Sequence, residues 1–384
     1  MDRRAPETGR ILCISLAHLL NDCYMNYIPT LLPFMVAAGM SVTRGAFLVS
    51  AFTVTSSMLQ PVSGYLVDRK NQGWLVYAGT LWMAVLLGAV GILQNYFFLV
   101  ATVTLAGLGT AAFHPQASAM VTALSGARKG FFQALFITFG NFGWALTPLV
   151  AVPFVQGHGL DSTPLLVLPG ILAAVLLRFT APKMSERPAK SLSPPLMPLL
   201  RTAGKELGKI VLVVAIRSIT SFSLIAFLQL YLQQKNISLI HGSRLLSLML
   251  FTGALGGLAG GWLSDLFGRK PVIAGSLFLA SPLLYLFLRA DGPLSYFLLA
   301  LAGAAIPASF SVTVVVAQEI IPKNAAMAAG LMLGFGLGLG GLGVGLVGIL
   351  VEQAGIENAF LLLASLPLLA AILALGIKTA PGVK

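Results

Sequence analysis

Gly261-Trp262-Leu263-Ser264-Asp265-Leu266-Phe267-Gly268-Arg269-Lys270 joins two apolar runs, and Gly64-Tyr65-Leu66-Val67-Asp68-Arg69-Lys70 joins two others 197 positions earlier. Both read G-x-x-x-D followed by basic residues. Either one alone is an ordinary tight turn. Repeated at a fixed offset and in matching places along the chain, they mark a duplicated unit. The first copy lacks the later Gly and Arg, with Asn71 and Gln72 in their place.

The surrounding composition says where such a unit resides. Of 384 residues, 57% are apolar and 9% charged, and the mean hydropathy is +0.90. A soluble domain carries about 25% charged residues, so this chain has too few to coat a water-facing surface. A cytosolic enzyme is excluded. So is a nucleic-acid-binding chain, despite the net charge of +12, because the basic residues fall in short clusters between apolar runs. Cys13 and Cys23 share one apolar segment, at a helical separation of about 15 Å that no disulfide spans.

A bilayer core takes about 20 apolar residues per helix. That window divides the chain into twelve spans: 11–38, 45–67, 74–93, 96–123, 130–156, 164–180, 210–234, 244–263, 272–289, 294–318, 325–351 and 359–377. The polar opening MDRRAPETGR is followed by no cleavage site, so span one is expected to be retained. Of the 24 Lys and Arg, 19 fall on the side of the termini, 4 on the opposite side, and Arg217 alone deep within a span. Basic residues stay inside, which places both termini in the cytoplasm of a multi-pass inner-membrane protein. Residues 181–209 are rich in Pro, Ser and charge and read as a linker. The expected organisation is all-α: a six-helix bundle at 1–180, the linker, and a second, pseudo-symmetric six-helix bundle at 210–384.

The repeated G-x-x-x-D turn resembles the signature of the major facilitator superfamily of secondary transporters. Three further stretches resemble its fosmidomycin-resistance branch: His18-Leu19-Leu20-Asn21-Asp22; Ala112-Phe113-His114-Pro115-Gln116-Ala117-Ser118; and Gln318-Glu319 to Pro322 with Ala329-Gly330 to Gly334. The resemblance implies two halves rocking about a midplane site, with spans one, four, seven and ten lining a cavity. It gives Asp68, Arg69, Asp265, Gly268 and Arg269 a gating role, since carboxylates at helix ends pair with basic side chains that must part on opening. Read blandly, they are turn residues.

Charge in the bilayer centre costs about 2.5–3.5 kcal/mol even on the lenient insertion scale. Asp22 lies about 16 Å into span one and Arg217 roughly 12 Å into span seven; His114 lies past the middle of span four. Asp22 shifted by the repeat lands on Ile219, half a turn from Arg217. The pair is expected to face one aqueous cavity, with Asp22 carrying a coupling proton and Arg217 holding an anionic group of the substrate. The alternative is a permanent buried pair that only fixes packing. His114 is expected to meet the substrate or relay protons, unless it serves only the backbone gap that Pro115 opens. His18, one turn from Asp22, and Glu319 are candidate relay residues.

Polar stripes mark the remaining candidates for substrate contact: Asn21 and Asn26 in span one, Ser118 in span four, Asn141 in span five and Gln229 in span seven. Singly, each is more often helix–helix glue. Nine glycines between 330 and 348, and Gly140-Asn141-Phe142-Gly143 with Pro148, which resembles the antiporter motif of drug-exporting members, read as seams between halves. A phosphate loop is excluded because no Lys-Ser/Thr follows the glycines.

The function expected is proton-coupled export of a small anionic or amphiphilic compound, such as a phosphonate-type drug. The alternative is proton-coupled import of an organic anion on the same scaffold. No metal-ligand spacing or catalytic cluster supports an enzyme, and no cofactor or metal is expected. The expected partners are the small-molecule substrate, protons and the lipid bilayer, with no nucleic acid, and the chain is expected to act as a monomer.

Overall fold

The computed structural model describes residues 6–63, 73–126, 128–182, 196–321, 328 and 331–377. All regular structure among them is helical. Among the described residues, ten helices are long and apolar enough to cross a membrane. The other two expected spans are shorter or interrupted, namely span three (Leu75–Gly88, continued by a 3-10 turn at Ala89–Gly91) and span one (Thr8–Met25, then Tyr27–Ala37). The chain is a twelve-span bundle protein with two pseudo-symmetric halves.

Two compact units divide it. The first comprises residues 1–39 and 51–190, the second 40–50 and 191–384. Residues 40–50 include the opening turns of span two, Val42–Met58, and pack with the second unit. There the Thr43 amide donates to Glu352 Oε2 at 3.0 Å and Ser50 Oγ to the Gly341 carbonyl at 2.7 Å.

The interruptions follow from proline. Pro29 has no N–H to return to the Met25 carbonyl. The helix ends at Met25 and restarts at Tyr27, with Pro29 in the tolerated first turn. Span ten likewise divides at Ser309, after Pro307. In span twelve, Ile356–Leu375, Pro367 sits within the helix. Beside it the Ser281 hydroxyl of span nine (Arg269–Arg289) donates to the Ala364 carbonyl and accepts from the Leu368 amide at 2.9 Å.

Span seven, Leu196–Gln234, begins fourteen residues before the expected 210. Its polar start reads as linker, yet the helix holds there because Lys209 pairs with Glu206 at 2.9 Å and donates to the Gly376 carbonyl. The duplication also appears in the backbone. Gly39 (φ +96°) and Asn236 (φ +59°) occupy the same joint of each half, 197 positions apart, and Gly159 (φ +82°) and Gly355 (φ +86°) occupy another. Left-handed φ reverses the chain between successive helices, which favours Gly or Asn at such joints.

Spans one, four (Tyr96–Leu124), five (Lys129–His158) and six (Leu168–Thr180) close the first unit's core around Ile14, Phe113, Met120, Phe136 and Leu177. The second core gathers Ile210, Val214, Leu277, Val316 and Ala374. The glycine-rich span eleven opens with a π-turn at Leu331–Gly336 and continues as Leu337–Ala354. Its Gly340 and Gly343 abut Ser218 and Ile219, and Gly345 and Gly348 abut Ser50 and Ala46. All of these lie within the second unit, so at these four positions the glycines are packing seams of one body.

Candidate functional site

Three ionisable side chains meet inside the first unit. His18 and Asp22 lie one helical turn apart on span one, with Nε2 3.4 Å from Oδ2. His114, from span four, brings its Nε2 to 3.0 Å from Oδ1. Each carboxylate oxygen thus faces its own imidazole. The Trp144 side chain of span five hydrogen-bonds the same carboxylate. The cost of placing a carboxylate away from water is offset by the Trp144 side chain and by each imidazole when its Nε2 carries a proton.

The imidazoles are held from behind. His18 Nδ1 lies 2.7 Å from the Phe136 carbonyl, and its ring stacks on Phe136 with centroids 3.9 Å apart and planes at 17°. His114 Nδ1 lies 3.0 Å from the Thr110 carbonyl. The carbonyl that Pro115 leaves without its helical donor is Ala111, so His114 is not repairing that gap. Asn21 accepts from the Thr110 hydroxyl, which fixes the turn carrying His114.

Span five approaches this cluster through glycine. A Cβ on Gly140 would stand 2.5 Å from Asp22 Oδ2 and 2.5 Å from His18 Cε1. A Cβ on Gly143 would run into the Leu19 carbonyl. The Gly140–Gly143 pair therefore seats span five on span one, inside one unit. Small residues permit such backbone approach in membranes.

Other expected residues are placed around this centre. Asn26 donates to the Trp144 carbonyl at 2.8 Å, while its own carbonyl accepts from Thr30. Ser118 belongs to a separate polar knot, in which Gln133 donates to the Ser118 carbonyl at 2.7 Å and to the Thr122 hydroxyl at 2.6 Å. Asn141 is half-buried beside Gly140. Asp68 and Arg69 lie outside the described residues.

The second unit holds Arg217. Its guanidinium is buried, lies 4.8 Å from the centroid of the Phe310 ring, and donates from Nη2 to the Ser218 hydroxyl at 3.2 Å. Nη1 is buried with no hydrogen-bond partner. Among the described residues of this unit no carboxylate pairs with it. Gln229, also buried, leaves both amide atoms unpartnered. At the end of span eight (Leu239–Phe267), Arg269 bonds Asp265 and Ser264 and reaches Glu319 Oε1 at 3.3 Å. Gly268 makes that turn with φ +90°. Glu319 is thus a member of this ionic knot.

Sequence reasoning linked His18 to Asp22 through their one-turn spacing. It missed the His114–Asp22 contact, the Trp144 and Gly140 contacts to the same carboxylate, and the Phe310 face beneath Arg217. The glycines of the 140–143 stretch were the one available signal.

The Major Facilitator Superfamily profile matches residues 14–243 and again 210–383. The fosmidomycin resistance protein of Escherichia coli is 31% identical over 373 residues, covering 94% of this chain and 91% of that protein. The MFS-type transporter YfnC of Bacillus subtilis is 29% identical over 380 residues, covering 94% and 90%. Among solved structures, the nucleoside transporter NupG superposes with a TM-score of 0.80 at 17% identity, covering 96% of this chain and all of that one. A bacterial homologue of the lysosomal transporter Spinster, inward-facing and occupied, gives 0.79 at 16% identity, covering 98% and 99%. At such identities these structures speak for the fold alone.

Proposed function

This chain belongs to the major facilitator superfamily, a transport protein and not an enzyme, and we propose that it exports a small anionic compound of the phosphonate class in exchange for protons. Secondary active transport by alternating access comes with the family. One observation supports this particular reading: a carboxylate flanked by two imidazoles, buried on spans one and four. Imidazoles change charge within the biological pH range, and an ionisable cluster inside a membrane marks an ion pathway by default. Asp22 takes up and gives back the coupling proton, assisted by His18 and His114.

Arg217 supplies the anion site. A buried guanidinium with an open N–H and an aromatic face beneath it suits a phosphonate or carboxylate, which it engages through planar, paired hydrogen bonds. The likeness to a fosmidomycin resistance protein supports a drug of that charge type and membership of that branch. Asn21, Asn26, Ser118, Asn141 and Gln229 shape the rest of the path. Asp265, Arg269 and Glu319 form a cytoplasmic gate with Gly268 as its turn. The Lys/Arg asymmetry supports cytoplasmic termini, and the chain acts as a monomer.

The test is transport by the purified protein in lipid vesicles. Vesicles acidic inside are expected to accumulate labelled fosmidomycin while their lumen turns alkaline, and Asp22→Asn and Arg217→Ala to abolish both signals. Accumulation only in vesicles alkaline inside would make the protein an importer. Uptake indifferent to collapse of the gradient would end the proton-coupled reading.

A further inference from the structure

We propose that His18, Asp22 and His114 form one site binding two exchangeable protons, with His114 as the port through which they enter and leave. The inference deepens the proton-coupled reading above and rests on it for its role in transport.

The argument is one of hydrogen-bond polarity. A carbonyl oxygen only accepts, so the ring nitrogen facing it carries the hydrogen. His18 Nδ1 faces the Phe136 carbonyl at 2.7 Å and His114 Nδ1 the Thr110 carbonyl at 3.0 Å, while the Thr110 hydroxyl, 3.3 Å from the same His114 nitrogen, gives its hydrogen to Asn21. Both rings are therefore Nδ1–H, and both direct Nε2 at the Asp22 carboxylate, at 3.4 Å and 3.0 Å. With neutral rings and an ionised carboxylate, lone pairs oppose lone pairs at both contacts. A proton on His114 Nε2 makes its contact a hydrogen bond, and a second on His18 Nε2 makes the longer contact an ion pair. The cluster's formal charge passes from −1 through 0 to +1 as it takes two protons from water. Because each oxygen has its own imidazole, the two protons have separate seats on a shared carboxylate and bind as a coupled pair.

Among the described residues of the unit, no other titratable group competes for these seats. On span one, the Cys23 thiol donates to the Gly143 carbonyl, and the Tyr24 hydroxyl donates to the Leu166 carbonyl ahead of span six. Span four contributes His114 itself. Span five contributes Trp144, Phe136 and Gly140, none of which ionises here. Exposure assigns the port: the His114 side chain is 19% exposed, against 6% for His18 and 9% for Asp22. Protons reaching His18 pass by way of Asp22.

The experiment uses the full chain in detergent, treated with a chelator, with His158→Gln and His241→Gln leaving only the two cluster histidines. Imidazole NMR on isotope-labelled histidine reports each ring's tautomer, and a parallel unbuffered sample counts protons taken up on acidification. Expected are Nδ1–H neutral rings and uptake of about two protons in linked steps, falling to about one in His114→Gln. Asp22→Asn should let the two rings titrate independently. An Nε2–H neutral form on either ring, or uptake of a single proton, overturns the proposal. So does zinc, added back after chelation, binding one per chain and suppressing the uptake at nanomolar concentration, which would make the cluster a metal site. The first readings are taken on the intact cluster, so a misfolded variant does not shield the idea. Gradient-driven transport with single-proton uptake would leave the coupled reading standing without this site, and a two-proton cluster in a chain whose transport ignores the gradient would do the reverse.

Discussion

Gly140 faces the Asp22 carboxylate so closely that a methyl group in its place would stand 2.5 Å from Oδ2 and 2.7 Å from His18 Nε2. The site is thus bounded on one side by the absence of a side chain. In an ordinary helix, Gly→Ala gains about 0.5–1 kcal/mol. At this position the overpacking penalty of about 1–3 kcal/mol is larger. Gly140→Ala is expected to lower thermal stability in detergent and to cut gradient-driven transport at least about tenfold. Gly130→Ala, with nothing within 4 Å, is expected to do neither.

Arg217 is expected to resist conservative replacement. Lysine keeps the charge but loses the planar fork and the guanidinium's contact with the Phe310 ring. Substrate affinity in Arg217→Lys, measured by equilibrium binding of labelled phosphonate, should fall about tenfold or more, corresponding to roughly 1.4 kcal/mol. Arg217→Ala should bind none. A lysine variant indistinguishable from the parent would mean that the anion sits elsewhere.

The knot of Asp265, Arg269 and Glu319 lies at a partly exposed helix end, where such pairs stabilise by about 0.2–1 kcal/mol. Glu319→Gln should hardly move the melting temperature. As a gate contact it should nevertheless change the rate of transport more than substrate affinity. The comparison to make is maximal rate against half-saturation, and a large loss of stability with unchanged rate would make the knot purely structural.

Tyr24 ties span one to the start of span six. Its hydroxyl donates to the Leu166 carbonyl at 2.6 Å and accepts from the Gly170 amide at 3.1 Å. Tyr24→Phe removes the side-chain partner of both backbone groups, at about 1–3 kcal/mol. The expected result is a lower melting temperature with normal proton coupling in the protein that remains folded.

Much of the architecture was legible because the bilayer imposes long apolar runs, and the two G-x-x-x-D turns revealed the duplication. The left-handed joints at Gly39 and Asn236 repeat that offset in the backbone. The early start of span seven was hidden because Glu206 and Lys209 resemble linker residues. Only their pairing along the helix, and the carbonyl of Gly376 beyond it, gives them a place. Within the site, His18 and Asp22 could be joined by period alone. His114 is 92 positions from Asp22, and its approach depends on how spans one and four pack, which no local pattern encodes. Phe310 under Arg217 was invisible for the same reason, since the ring arrives from the break in span ten.

The Ser281 hydroxyl that bridges Ala364 and Leu368 lies on a helix synthesised well before the one it touches. Biogenesis therefore has an order built into it: span nine is already in the lipid when the last helix emerges, and offers a ready partner for the backbone beside Pro367. The closing helix is fitted to a waiting neighbour rather than docked as a finished rod, and trimming the chain ahead of it would leave that serine facing hydrocarbon.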